Sequence, residues 1–146
     1  MEYADGGSLR DYLKENFNSL TWRNKVSFAY QLACAVSFMH DEGIIHRNLH
    51  SGNILIHQNS VKLSDFGLSK RIESLNTRSQ LFGICSYIDP KKFSIESSYI
   101  LDEKSDVYSI GVLLWEISSG HPPFEGIEYY ALIVRVSQGI REKPIP

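Results

Sequence analysis

His46-Arg47-Asn48-Leu49-His50-Ser51-Gly52-Asn53, followed a few residues later by Asp65-Phe66-Gly67, is the stretch on which the reading of this chain turns. Between and around these polar motifs lie short β-rich runs: Ile44-Ile45, Asn53-Ile54-Leu55-Ile56 and Val61-Lys62-Leu63. Polar turns break them, as in a small sheet laid on a helical body. Upstream, Asp5-Gly6-Gly7-Ser8 reads as a turn, with Ser8 the N-cap of a short helix through Leu9, Tyr12 and Leu13. Thr21 caps a second helix whose apolar residues Trp22, Val26, Ala29, Ala33, Val36 and Met39 fall on one face, and Gly43 closes it.

Downstream, residues 71–86 are rich in Ser, Thr, Asn and Gln and have no period, which predicts a long surface loop. Ser105 is the expected cap of a helix from Asp106 to Ser118, ended by Gly120 and Pro122-Pro123. Its residues Val107, Ile110, Val112, Leu113, Leu114, Trp115 and Ile117 cover nearly every side, so it is expected in the middle of a core. A last amphipathic helix runs from about Ile127 to Val136. The fold class is α+β, mainly helical, with a small sheet along one edge.

Composition narrows the function classes. With 42% hydrophobic and 22% charged residues the chain is ordinary globular protein and not a disordered segment. A net charge of −2, with scattered basic residues, speaks against nucleic acid and against an anionic membrane surface as partners. No stretch is long and apolar enough for a membrane span, and the first residues lack the charge and apolar core of a signal peptide, so the cytoplasm is the expected compartment. The two cysteines have no metal-ligand spacing; Cys34 is expected to be buried in its helix and Cys85 to be open to solvent.

The two motifs, in this order and with Asp106 heading a later apolar helix, resemble the protein kinase superfamily, whose catalytic loop reads H-R-D-L-x-x-x-N and whose metal motif reads D-F-G. The style is most similar to the tyrosine-kinase-like group, whose members mostly modify Ser or Thr. The resemblance covers residues 1–146 as a partial kinase domain, the large lobe from the hinge to about the seventh helix, with the small lobe absent. It implies ATP and Mg²⁺ as cofactors and a protein substrate or an active kinase partner. On this match Met1 is the gatekeeper, the backbone of Glu2 and Ala4 holds adenine, and Leu55 forms the floor beneath the ring. Asn53 and Asp65 are the metal pair, hard oxygen ligands of the kind Mg²⁺ takes beside phosphate oxygens. Phe66 and His46 pack behind the site, Gly67 completes the metal motif, and Asp106 fixes the catalytic-loop backbone. Arg47 would clamp a phosphate on the following loop, where Ser69, Ser74, Thr77, Ser79 and Ser86 are candidate acceptors. Tyr87-Ile88-Asp89-Pro90 stands where the family has its A-P-E segment.

The departures are as informative. Asn48 occupies the proton-acceptor position, and a neutral amide cannot take a proton from a hydroxyl. Loss of such general-base help costs about 10²–10⁴-fold in rate. No glycine-rich loop, strand lysine or partner glutamate occurs in the 146 residues, so ATP is expected to lie on an open ledge and bind weakly. Lys91 replaces the glutamate of A-P-E, Ile84 a threonine usual in Ser/Thr kinases, and His50 a lysine; His50 is expected to face solvent. Three functions therefore compete: a piece of a longer active kinase, a pseudokinase module that docks on an active relative, and a truncated product with an exposed apolar patch.

Overall fold

The computed structural model describes residues 4–64, 84–94 and 102–146. Among the described residues the main elements are α1 (Leu9–Asn16), α2 (Trp22–Asp41), β1 (Ile54–His57), β2 (Ser60–Leu63), α3 (Glu103–Ser119) and α4 (Tyr129–Ser137). Among these residues no helix is long and apolar enough to cross a membrane.

Local chemistry accounts for the element ends. Ser8 Oγ accepts the Asp11 N–H at 3.2 Å and starts α1. At α2, Thr21 and Asn24 form a reciprocal capping box. The helix ends in a Schellman arrangement around Gly43, with Gly43 N–H bonded to the His40 carbonyl and Ile44 N–H to that of Met39. β1 and β2 pair antiparallel with Ile54 opposite Leu63, across a two-residue turn in which Gln58 and Asn59 both have positive φ, the mirror-image geometry that suits strand twist. Gly6 and Gly7 hydrogen-bond to Ile56, so the first residues of the chain run along β1. No strand forms at Ile44-Ile45, and Asn53 lies in a 3-10 turn (Ser51–Asn53) ahead of β1.

The main core joins Leu9 and Leu13 of α1, Phe28, Leu32 and Val36 of α2, Ile54 and Ile56 of β1, Leu49, Tyr87, and Leu113 and Ile117 of α3. A second, smaller core gathers Cys85, Phe124, Leu132 and Val136 under α4. Two expectations change here. The inward face of α2 is Phe28, Leu32, Val36 and Met39, while Trp22, Val26 and Ala33 are exposed. Both stripes have helical spacing; a stripe bearing Phe and Leu removes more apolar area from water than one bearing two alanines. The cysteines exchange places accordingly, Cys34 exposed on the outer side of α2 and Cys85 buried in the second core.

α3 starts three residues earlier than its apolar run suggests, capped by Asp102 in a capping box with Ser105. Nor is it covered all round among the described residues: Val107 is 59% exposed and Leu114 38%. Its buried face is mostly polar, made of Ser105, Asp106, Ser109, Leu113, Glu116 and Ile117. Apolar content therefore misleads about this helix, because it turns its polar residues inward for hydrogen bonds. α4 begins two residues later than expected, capped by Glu128, whose carboxylate accepts the Tyr130 and Ala131 N–H groups.

Two glycines, Gly111 within α3 and Gly120 just after it, separate backbone from packing effects. Gly120 has φ +75°, and a Cβ there would sit 2.5 Å from the Phe17 ring; Gly111 is mid-helix and a Cβ would meet nothing among the described residues. Gly120→Ala should destabilise the fold by about 2 kcal/mol or more. Gly111→Ala should stabilise it by up to about 1 kcal/mol, with both read from urea unfolding midpoints.

Candidate active site

The candidate site is built around one carboxylate. Asp106, in the first turn of α3 and 1% exposed, accepts the His46 N–H through Oδ2 and the Arg47 N–H through Oδ1, both at 2.9 Å. His40, near the end of α2, reaches the same Oδ2 with Nε2 at 2.8 Å. Two helices and the loop 44–50 are thus tied to a single buried group. Arg47 has φ +67°, a left-handed backbone that a non-glycine residue holds only when its surroundings compel it. The paired N–H bonds to Asp106 provide that compulsion.

From this anchor the loop is organised residue by residue. The buried His46 ring bonds the Ser64 carbonyl through Nε2 at 2.9 Å, and Nδ1 accepts the Asn48 N–H at 3.3 Å. A carbonyl can only accept, so the ring hydrogen sits on Nε2. Asn53, 4% exposed, donates its side-chain amide to the Asn48 carbonyl at 2.8 Å, which leaves Oδ1 as its remaining polar atom. The Asn53 carbonyl in turn accepts both the N–H and the hydroxyl of Ser64, at 3.0 and 2.9 Å. Ser64 immediately precedes Asp65, so the chain is delivered to Asp65 held by His46 on one side and Asn53 on the other. Asp65, Phe66 and Gly67 themselves, with Glu2 and the loop hydroxyls Ser69, Ser74, Thr77 and Ser79, lie outside the described residues.

Asn48 is 6% exposed, and its side-chain oxygen is buried with no hydrogen-bond partner among the described residues. Leu55 is half-buried on the opposite face of β1 from Ile54 and Ile56, bridged to Ser8. Ala4 is half-buried, its carbonyl accepting the Gly7 N–H at 3.2 Å. Among the described residues no group of three or more His, Cys, Asp or Glu side chains is placed to hold a metal.

Two expected roles do not fit. Ser86 is 6% exposed with its hydroxyl directed at the Pro123 carbonyl, so it is not presented as a phosphate acceptor. His50 is half-buried: its Nδ1 accepts the Gly52 N–H at 3.1 Å and its ring lies 6.0 Å from that of Tyr87. Burial, with help from the Arg10 charge and His46, lowers its pKa to about 4.

Over residues 1–146 the chain matches the protein tyrosine and serine/threonine kinase family. The chain belongs to the protein kinase family. Similar proteins include ankyrin repeat and protein kinase domain-containing protein 1 of Homo sapiens, 36% identical over 97% of this chain and 19% of the relative. Serine/threonine-protein kinase PknB of Mycolicibacterium smegmatis is 34% identical over all of this chain and 23% of its own length. Mitogen-activated protein kinase kinase kinase 13 of Pongo abelii is 33% identical, again over the whole chain and 15% of the relative. The chain thus spans less than a quarter of the length of each of these relatives.

One network in this kinase domain escaped sequence reading. Tyr87 donates its hydroxyl to Glu116 Oε2 at 2.6 Å, the Tyr87 and Ser51 hydroxyls lie 3.0 Å apart, and Arg10 Nε donates to Ser51 Oγ at 3.2 Å. Glu116 is 3% exposed, and burial raises its pKa against the opposing hydrogen bonds from Tyr87 and Ser51 and the Arg10 charge. Burial also raises the Tyr87 phenol, followed by the adjacent Glu116 charge. The available signal was a carboxylate inside the apolar run Leu113-Leu114-Trp115-Glu116-Ile117, since a buried acid needs donors.

Two outcomes are expected. Asp106→Ala leaves the buried His46 N–H and the part-buried Arg47 N–H without an acceptor and should cost about 3 kcal/mol or more in urea unfolding. For His50, the folded ring protonates near pH 4 and the unfolded one near 6.5, so the unfolded chain takes up the proton first as pH falls. Its contribution to stability should be complete above about pH 6.5 and decline towards about pH 4. His50→Asn retains an acceptor for Gly52 and removes the titration, so the slope of stability against pH in that window should flatten.

Proposed function

We propose that this protein kinase domain retains the scaffold for ATP and Mg²⁺ but is impaired in phosphoryl transfer to protein hydroxyls. Asn48 carries this reading. It sits where the family has its proton-accepting aspartate, its side chain is an amide, and its buried oxygen has no donor among the described residues. An amide oxygen can align a substrate hydroxyl by accepting its hydrogen bond, but it cannot hold the proton afterwards.

The remaining parts favour nucleotide chemistry over a purely structural remnant. Asn53 spends its NH₂ on the Asn48 carbonyl, so Oδ1 is free to act as a hard oxygen donor. Asn53 and Asp65 would hold Mg²⁺, which when bound offsets the charge of the triphosphate. Leu55 would form the apolar floor under adenine, with the backbone of Glu2 and Ala4 at its edge. Arg47 would meet a phosphate on Ser69, Ser74, Thr77 or Ser79. Ser and Thr hydroxyls are the expected acceptors, in line with the names of the relatives, and the cytoplasm the expected compartment. The same Asn48 supports a second reading, a pseudokinase module that regulates an active kinase by contact.

Transfer of the γ-phosphate of ATP to Ser/Thr peptides decides between these outcomes. It is measured with the domain joined to a kinase small lobe that supplies the glycine-rich loop and lysine. Asn48→Asp should raise the rate by about 10²–10⁴-fold. The thermal shift given by Mg-ATP should be the same in both forms, because the metal oxygens are unchanged. Equal transfer rates for the native domain and its Asn48→Asp variant would remove the case for impairment.

A further inference from the structure

Two of this chain's departures from its family meet at one cavity. Asn48 lines it from the loop 44–50 and Ile84 from the segment ahead of Tyr87, while Asp106 and Ser109 line it from α3. It offers the centre of a water molecule about 10 Å³. A single water needs about 10–15 Å³ of such space, so the cavity has room for one water and for nothing larger.

The walls are short of a donor. Asn48 is 6% exposed, and its Oδ1 is buried with no hydrogen-bond partner among the described residues. An amide oxygen is costly to bury in that condition. The bonds already made around position 48 do not reach it: the Asn48 N–H goes to the His46 ring, and the Asn53 amide goes to the Asn48 carbonyl. Ile84, where Ser/Thr kinases usually carry a threonine, has a side chain of carbon alone. Asp106 Oδ1 accepts only the Arg47 N–H among the described residues, and Ser109 spends its hydroxyl hydrogen on the Tyr87 carbonyl at 2.8 Å, which leaves its lone pairs. A molecule with two O–H groups suits this lining, giving one to Asn48 Oδ1 and the other to Asp106 Oδ1 or Ser109 Oγ.

Charge selects the same ligand. Arg47 and Lys92 line the cavity with positive side chains, Asp89 and Asp106 with negative ones. That balance favours neither a cation nor an anion, and among the described residues no group of three or more His, Cys, Asp or Glu side chains is placed to hold a metal. A small neutral molecule that both donates and accepts fits the walls on every side.

From the unpartnered oxygen, the size of the cavity and its balanced charge, we infer that this is a binding site for one internal water, which donates to Asn48 Oδ1 and ties the side chain at position 48 to α3. A threonine at position 84 would bring a hydroxyl to the same space, so the water supplies a donor that this chain lacks. The site does not depend on whether the domain transfers phosphate.

A crystal structure of the 146-residue chain that shows ordered solvent tests this, with circular dichroism confirming that each variant folds. One water peak should lie within hydrogen-bond distance of Asn48 Oδ1 and of Asp106 Oδ1 or Ser109 Oγ. In solution, the methyl groups of Leu49 and Ile84, which both line the cavity, should show a nuclear Overhauser effect to a held water. Their hydrogens are bound to carbon, so proton exchange cannot mimic that signal. Asn48→Leu keeps the bulk and removes the oxygen, and both signals should be lost. Ile84→Val keeps every polar group of the cavity, and both should remain. A dry cavity in the native chain, density at metal-ligand distances in its place, or signals unchanged in Asn48→Leu would each overturn the inference.

Discussion

A single buried carboxylate holds this lobe in its working shape. Asp106 spends both oxygens on neighbouring backbone N–H groups of His46 and Arg47 and shares one of them with the His40 ring. Such a group is costly to bury without donors and rigid with them. Here the donors come from α2 and from the loop 44–50. The left-handed Arg47 backbone is the visible consequence, a conformation that would relax if the carboxylate were removed.

From Asp106 the constraint passes outward through backbone atoms. His46 holds Ser64 by its carbonyl, and Ser64 is bonded again to the Asn53 carbonyl. Asn53 is bonded to the carbonyl of Asn48. Each link uses a main-chain group on at least one side, so the arrangement tolerates side-chain change at position 48. The polar inner face of α3 continues the scheme, with Ser109 donating to the Tyr87 carbonyl and Glu116 receiving the Tyr87 hydroxyl. The helix at the centre of the lobe organises the loops through hydrogen bonds as much as through apolar contact.

The parts of this plan that were legible in the sequence are those set by short-range rules. Ser8 and Thr21 cap the helices they were expected to cap, and Gly43 ends α2, because a hydroxyl or a left-handed glycine acts on its immediate neighbours. The bonds from the loop backbone to Asp106 are those the kinase resemblance implied, whereas the bond from Asn53 to the Asn48 carbonyl was not foreseen. What failed was the choice between faces. On α2 two stripes fit the helical period, and only the partners across the core select Phe28 and Leu32 over Trp22 and Val26. On α3 the apolar count suggested full burial, whereas Ser105, Ser109 and Glu116 turn inward to serve groups distant in sequence. His50 was misjudged for the same reason: its surroundings, Arg10 and Tyr87, lie about 40 residues away on either side.

These failures and the departure at Asn48 have a common physical basis. The scaffold depends on what position 48 offers through its backbone, while in the proposed function transfer chemistry depends on what it offers through its side chain. An aspartate there would ionise in a buried setting and need donors or a cation to offset it, whereas the amide leaves one oxygen unpartnered among the described residues. Replacing acid by amide therefore removes a buried charge and disturbs none of the bonds from Asn48 N–H to His46 or from Asn53 to the Asn48 carbonyl. The hydrogen bonds that hold this loop use no side-chain atom of Asn48, so they do not distinguish an acid from an amide at that position.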